Sequence, residues 1–215
     1  MAEPTHLTEI RASYDTVAES YAGLVGPAFE NDLLGRSTMA AFAELVLAGG
    51  DRPVLDAGCG PGHVTAHLHT LGLDAFGVEL SPVMVGVARR THPGLRFDVG
   101  TMTALDLPDG GLGGVVAWYS TVHTPTEELP VAFREFHRVL APGGHVLLGF
   151  HVGDEKRRKD QGYGHPMSLD LYLRPPELIA ELATAAGLVL DATLLRDLQG
   201  PGAPQACLLL HRPGG

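Results

Sequence analysis

Val54-Leu55-Asp56-Ala57-Gly58-Cys59-Gly60-Pro61-Gly62 joins a short apolar run to an acid and then to glycine at every second position. The apolar run reads as a strand, and the glycines allow a sharp turn that lays bare backbone against a ligand. At the mouth of a parallel sheet such a turn makes a pocket for a small molecule. Glu79 ends the next strand-like run, Asp74-Ala75-Phe76-Gly77-Val78-Glu79, 17 residues beyond Gly62. A carboxylate at that strand tip can accept two hydrogen bonds from the hydroxyls of a ribose.

Two kinds of adenosine-containing ligand suit this layout. A dinucleotide site wants Gly-x-Gly-x-x-Gly/Ala, so that strand and helix pack closely and a helix N-terminus meets the pyrophosphate. Counted from Gly58, Gly60 is in register, but the third position is His63, whose imidazole spoils that packing. Asp56 is also awkward beside a doubly anionic pyrophosphate, whereas it attracts a cationic group. The ligand wanted therefore contains a nucleoside, lacks phosphate and carries positive charge. Glu79 serves either cofactor, so the distinction rests on His63 and Asp56.

Val54 to Gly62 resembles the first motif of the class I, seven-stranded S-adenosylmethionine (SAM)-dependent methyltransferases. Glu79 before Leu80-Ser81-Pro82, Gly100-Thr101-Met102 after a third strand-like run, Val115 to Tyr119, and the turn Leu140-Ala141-Pro142-Gly143-Gly144-His145 follow in the family's order. The resemblance covers roughly residues 12–211. It implies an α/β fold: a doubly wound, seven-stranded, mostly parallel sheet with helices on both faces, the last strand antiparallel, and an N-terminal helical lid. It implies one methyltransferase domain over residues 1–215, with 1–50 as the lid and 151–174 as an acceptor-site insertion. It also implies SAM as cofactor and methyl transfer by direct displacement; an oxygen or nitrogen is the expected acceptor atom, and the acidic charge favours a small metabolite over a macromolecule.

The resemblance assigns roles residue by residue. The acid at Asp56 lies near the methionine portion of the cofactor, and backbone around Gly58, Cys59 and Gly60 lines the methionine and ribose. Leu80 packs on the adenine. Thr101 stands where many relatives carry an acid that holds the adenine amino group, so its hydroxyl replaces that contact while the Met102 amide meets a ring nitrogen. Tyr119, after Trp118, reaches the methionine or sulfonium end. Tyr14 and Tyr21 lie in a segment that resembles the one covering the cofactor in small-molecule members; packing within an ordinary helix is the competing reading. His123 is the first candidate base and His151 the second, since imidazole titrates near neutrality. His165 is expected to bend back over the sheet edge, and no metal is expected, because His151, Asp154 and His165 do not form a spaced ligand set.

Bulk properties narrow the partners. A length of 215 residues allows one well-buried α/β core, and 15 Lys plus Arg against 25 Asp plus Glu leave a formal charge of −10. The only dense basic run, Lys156-Arg157-Arg158-Lys159, is flanked by acids. Nucleic acid is not an expected partner, because its binding needs many phosphates neutralised at once. Two cysteines, Cys59 and Cys207, make no disulfide framework and read as buried. No stretch approaches a membrane span or a secretory leader, so a cytoplasmic protein is expected, and a homodimer is compatible with the sequence.

Elements must carry these residues. Strands are expected near 53–57, 74–79, 95–99, 113–119 and 144–150, with helices near 62–71, 82–91 and 126–139. Upstream, a helix over 9–24 is expected to break at Gly23, Gly26 and Pro27, and a second runs from Leu33 to Val46. These two are expected across the sheet edge or over its mouth. Downstream, Pro175-Pro176-Glu177 starts a helix that Gly187 ends. Leu188–Leu195 and Ala206–His211, joined by the loop Gln199–Pro204, are too close for a crossover and must be antiparallel. Two rivals are an NAD-dependent oxidoreductase and a regulatory protein that binds SAM without turnover.

Overall fold

The structure, a computed structural model, describes residues 4–196 and 203–214. The expected loop Gln199–Pro204 lies mostly outside them. Alternation along the strands divides the core into two layers. On β1 (Val54–Ala57), Val54 joins one layer and Leu55 the other; β4 (Leu112–Trp118) divides Val116 from Val115, and β5 (Leu140–His151) divides Leu147 from Val146. One layer is closed by α2 (Leu33–Ala48) and α3 (His63–Thr70) through Met39, Phe42, Val46, Val64 and Leu68. The other is closed by α5 (Leu129–Val139) and α6 (Pro176–Ala185) through Phe133, Phe136 and Ile179. Cover on both faces explains why β1 and β2 (Ala75–Glu79) are buried along their whole length.

The sheet runs β3 (Phe97–Val99), β2, β1, β4, β5, β9 (Gln205–His211), β8 (Val189–Arg196). The first five pair in parallel, and β9 is antiparallel to both β5 and β8. This is the expected seven-stranded arrangement with the last strand inserted beside the fifth. Succession moves outward from β1 to β2 and β3 on one side, then resumes with β4 on the other. Ligands bind in the crevice that such a reversal opens at the carboxyl ends of the strands.

The N-terminal region departs from expectation in two ways. α1 spans Thr5–Glu30, straight through Gly23, Gly26 and Pro27. Its end is held by tertiary contacts: Phe29 is buried with its ring 5.1 Å from that of His63 and 5.4 Å from that of His67, and the Asn31 amide side chain donates to the Pro27 carbonyl at 2.8 Å. Packing overrides the local preference. Of the two helices expected across the sheet edge or over its mouth, α1 lines the cavity at the mouth, whereas the apolar stripe of α2 belongs to the sheet-covering layer.

The segment after β5 also differs. Residues expected as a loop form a ribbon of β6 (Glu155–Gly162) and β7 (His165–Leu173), turned by Tyr163 and Gly164 with φ of 56° and 81°. Two successive left-handed residues suit a tight hairpin whose twist matches its strands. The ribbon packs on α1 through Met167 and Leu169 against Val17, and the Ser13 hydroxyl both donates to the Ser168 carbonyl and accepts from its amide. The basic run lies on β6, where Asp170 accepts from Lys156 and Arg158. Pro142-Gly143-Gly144 does not precede the fifth strand but lies within it: Leu140 already pairs with Leu112, and the register shifts before His145 meets Gly114. Among the described residues no helix is long and apolar enough to cross a membrane.

Candidate active site

A cavity of about 620 Å³ opens over the tips of β1, β2 and β4 and is roofed by α1. That size falls within the range of small-molecule sites, about 300–1,000 Å³. β1 delivers Asp56 fully buried, its carboxylate accepting from the Thr65 hydroxyl of α3 at 2.7 Å. Gly62 caps α3 at φ 86°, with the Phe97 ring 2.7 Å from where a Cβ would stand, so the turn closes only with glycine there. Glu79 braces the same turn from the next strand, its two oxygens accepting from the amides of Gly60 at 3.0 Å and Ser81 at 2.8 Å. One lone pair on each oxygen remains for a ligand.

Electrostatics follow from burial. Removal from water pushes the Asp56 carboxyl up to about 7, against the hydroxyl and amide of Thr65, which pull it down. Glu79 is raised for the same reason, opposed by the amides that it accepts from. Burial keeps His63 neutral, its imidazolium lowered to about 4. The one arginine lining the cavity, Arg196, is paired with Asp32 in a two-point bridge of 2.8 and 2.9 Å. Two buried carboxyls and no free guanidinium or ammonium in the described wall make a poor pyrophosphate site and a good one for a cation.

Residues 54–144 match a family model described as a methyltransferase domain. A malonyl-[acyl-carrier protein] O-methyltransferase from Erwinia billingiae is 33% identical over 161 residues, 74% of this chain and 61% of that protein. The chain spans about half the length of the curated relatives that it matches. Among solved structures, magnesium protoporphyrin IX methyltransferase from Synechocystis PCC 6803 with bound SAM superposes at a TM-score of 0.72, with 16% identity over 99% of each chain. A [4+2]-cyclase superposes at 0.74, with 20% identity over 100% of this chain and 99% of that one.

Residues 54–144 thus resemble a methyltransferase domain, and the fold is that of the class I methyltransferases. SAM is the cofactor of such methyltransferases, and the residues present fit it: two buried carboxyls at neighbouring strand tips with bare glycine backbone between them. The wall of this site brings Tyr14, Tyr21, Asp56, Gly58, Cys59, Gly60, Glu79, Leu80, Thr101, Met102 and Tyr119 around one space, together with His123 and His151. His165 is not brought there; it sits at the far turn of the ribbon, against a separate shallow pocket. Among the described residues no three His, Cys, Asp or Glu are grouped to hold a metal ion.

Several placements are more specific than the sequence suggested. Ser81 caps α4 (Pro82–Thr91) by accepting from the Met84 amide at 3.1 Å, and its own hydroxyl donates to Asp15 of α1 at 2.5 Å. That bond fastens α1 to the start of α4. Trp118 lines the cavity, its ring 5.3 Å from that of Tyr119. Tyr119 holds φ at 53°, a strained setting for an aromatic residue, and its hydroxyl is buried without a partner, as are the Ser120 hydroxyl and Nδ1 of His151. Sequence reasoning placed Ser120 at the fourth strand's tip without a role of its own, and missed Gln205 and the Asp32–Arg196 pair. Asp32 carries a legible signal as the cap of α2, accepting from the Gly35 amide at 3.0 Å, but nothing local joins it to an arginine in the antiparallel edge strand.

Arg174 was missed as well. It is 3% exposed and paired with no carboxylate in its hydrogen bonds; it donates to the Thr126 hydroxyl at 3.0 Å, to the carbonyls of Thr121 and Thr124, and its guanidinium lies 4.7 Å from the centre of the Tyr172 ring. Burial lowers its pKa to about 10, still charged at neutrality. It ties the ribbon to the short turn that carries His123. Arg174→Met is expected to cost about 2 kcal/mol in chemical denaturation, because the carbonyls lose their donor while a buried charge is relieved.

Asp56 gives the site a pH dependence with a definite sign. A cationic ligand favours the ionised carboxylate, so below about pH 7 binding must expel a proton. SAM affinity is expected to climb toward pH 7 and level off above it, and Asp56→Asn is expected to flatten that climb in calorimetric titrations. In the empty protein the linkage runs the other way. The unfolded carboxyl ionises near pH 4 (about 3.9), the folded one at about 7, so stability falls as pH rises between them.

Proposed function

We propose that this protein is a SAM-dependent methyltransferase that moves a methyl group to an oxygen or nitrogen of a small metabolite by direct displacement. The observation that carries this reading is the pair of buried acids at neighbouring strand tips, Asp56 and Glu79, with no unpaired guanidinium or ammonium among the described residues that line the cavity. Glu79 accepts from the ribose hydroxyls, and Asp56 orients the cationic methionine portion. Backbone at Gly58, Cys59 and Gly60 follows the ligand between them. Leu80, Thr101 and Met102 hold the adenine, and Tyr21 covers the glycine turn, its ring 3.8 Å from the Cβ position of Gly60.

When bound, SAM supplies an electrophilic methyl group on a sulfonium. The chain's contribution is alignment and exclusion of water, which are worth most for a displacement that neutralises charge. Tyr119, Ser120, His151 and Gln205 form the acceptor end, where unpartnered polar atoms await hydrogen bonds from a bound molecule. A small acceptor is favoured by the size of the cavity and by the acidic surface, on which Lys156, Arg157 and Arg158 of β6 are already paired.

Calorimetric titration with S-adenosylhomocysteine and with NAD separates this from the oxidoreductase rival. Heat with the former and none with NAD is expected; the reverse would contradict the proposal.

A further inference from the structure

We infer that the acceptor atom is the oxygen of a neutral hydroxyl, and that its proton leaves through Tyr14 to His123. This rests on the methyl transfer proposed above and names the substrate class that it serves. Three elements converge on the relay: Tyr14 from α1, His123 from the turn after β4, and Asp170 from β7.

The direction of each hydrogen follows from what its partner can do. The Asp170 carbonyl only accepts, so Nδ1 of His123, 2.7 Å away, carries the hydrogen. Burial keeps the ring neutral, its imidazolium lowered to about 4, and Lys159, His151 and Arg174 also oppose a charge there. Nε2 is then a bare lone pair, and the 2.9 Å contact has the Tyr14 hydroxyl donating. With its hydrogen committed, the phenol oxygen can only accept from a group that comes against it in the cavity.

That polarity selects among acceptors. A carboxylate, a thioether or a tertiary amine brings no hydrogen and would set lone pair against lone pair. A neutral primary or secondary amine brings one but attacks through a free pair and needs no base as it does so. A hydroxyl brings the hydrogen and also needs to lose it, since a methylated oxonium is strongly acidic.

The step balances. As the hydroxyl oxygen bonds to the methyl carbon, the carbon–sulfur bond breaks with its electron pair kept by sulfur. The hydroxyl proton passes to the Tyr14 oxygen, and the proton of Tyr14 passes to Nε2 of His123. One positive charge is lost at sulfur and one appears on the imidazole, so the net charge in the cavity is unchanged. A base that is feeble in the empty pocket becomes adequate in the step that removes the neighbouring cation.

The alternative role for these contacts is a latch that merely holds α1 down, and the tests separate the two. Tyr14→Phe keeps the ring and removes the relay; it is expected to bind S-adenosylhomocysteine within about threefold of the native protein, yet to lose about 100-fold or more in turnover, the usual reach of proton-transfer catalysis. A latch would lose affinity and melting temperature along with turnover. Native protein given a panel of small phenols and alcohols, alongside carboxylates and amines, is expected to release S-adenosylhomocysteine with hydroxyl compounds. Nitrogen NMR of the free protein, with His123→Gln for assignment, is expected to show the His123 hydrogen on Nδ1 at neutral pH. A hydrogen on Nε2, native turnover by Tyr14→Phe, or no hydroxyl compound methylated would each overturn the relay. Failure of S-adenosylhomocysteine to bind the native protein would instead sink the methyltransferase reading beneath it.

Discussion

Gly58→Ala is expected to abolish cofactor binding and to destabilise the fold by about 2–4 kcal/mol, since both strain and overlap arise at one atom. Gly58 holds φ at 75°, and a Cβ there would stand 2.4 Å from the Ser120 Cβ, 3.1 Å from its hydroxyl and 3.4 Å from the Met102 methyl. Its amide also donates to the Val78 carbonyl at 2.7 Å, so the residue cannot rotate away without losing the bond that ties the turn to β2. Relief must come from moving Ser120, which lines the cavity, since the Met102 methyl is already at ordinary contact distance. Calorimetry with S-adenosylhomocysteine and chemical denaturation read the two losses separately. Native affinity in this variant would show that the glycine turn does not contact the ligand.

Glu79→Ala is expected to lower S-adenosylhomocysteine affinity by about 100- to 1,000-fold, or about 3–4 kcal/mol, the worth of two hydrogen bonds to a buried charged acceptor. The loss is compounded because the same carboxylate sets the amides of Gly60 and Ser81, so the turn loosens as the sugar contact disappears. Glu79→Gln separates these effects. Its carbonyl can still take one of the two amides, but its NH2 group faces the other, so an intermediate loss is expected in the same titration. Equal affinity of both variants and the native protein would remove Glu79 from the sugar site.

What was legible in the sequence follows from how local each determinant is. β1, its turn and α3 could be read because apolar run, acid and glycines lie within nine consecutive residues, 54–62, and both the strand and the turn are decided there. β8 and β9 were legible for a related reason: too few residues separate them for a crossover. The full length of α1 was not legible, because its last turn is held by Phe29 packing on rings of α3. The β6–β7 ribbon was missed because its strands are mostly polar on β6 and take their apolar support from α1, more than a hundred residues upstream by numbering, as in Met167 against Val17.

The site divides in the same way. Asp56, Gly58, Gly60 and Glu79 stand in a fixed relation to strand tips, so their convergence could be expected from the pattern alone. His123 could be placed near the cavity, but not the fact that both of its ring nitrogens are engaged, by Tyr14 from 109 residues away and by Asp170 from 47. The Asp32–Arg196 pair, 164 residues apart, leaves no local trace at all.

The most direct measurement is diffraction from crystals grown with S-adenosylhomocysteine. The expected density has the ribose hydroxyls within hydrogen-bond distance of the Glu79 carboxylate, the amino acid portion running along Gly58–Gly60 toward Asp56, and the sulfur facing the space between Tyr14 and Tyr119. A nucleoside seated elsewhere, or a sugar turned away from Glu79 with Asp56 facing only Thr65, would contradict the account.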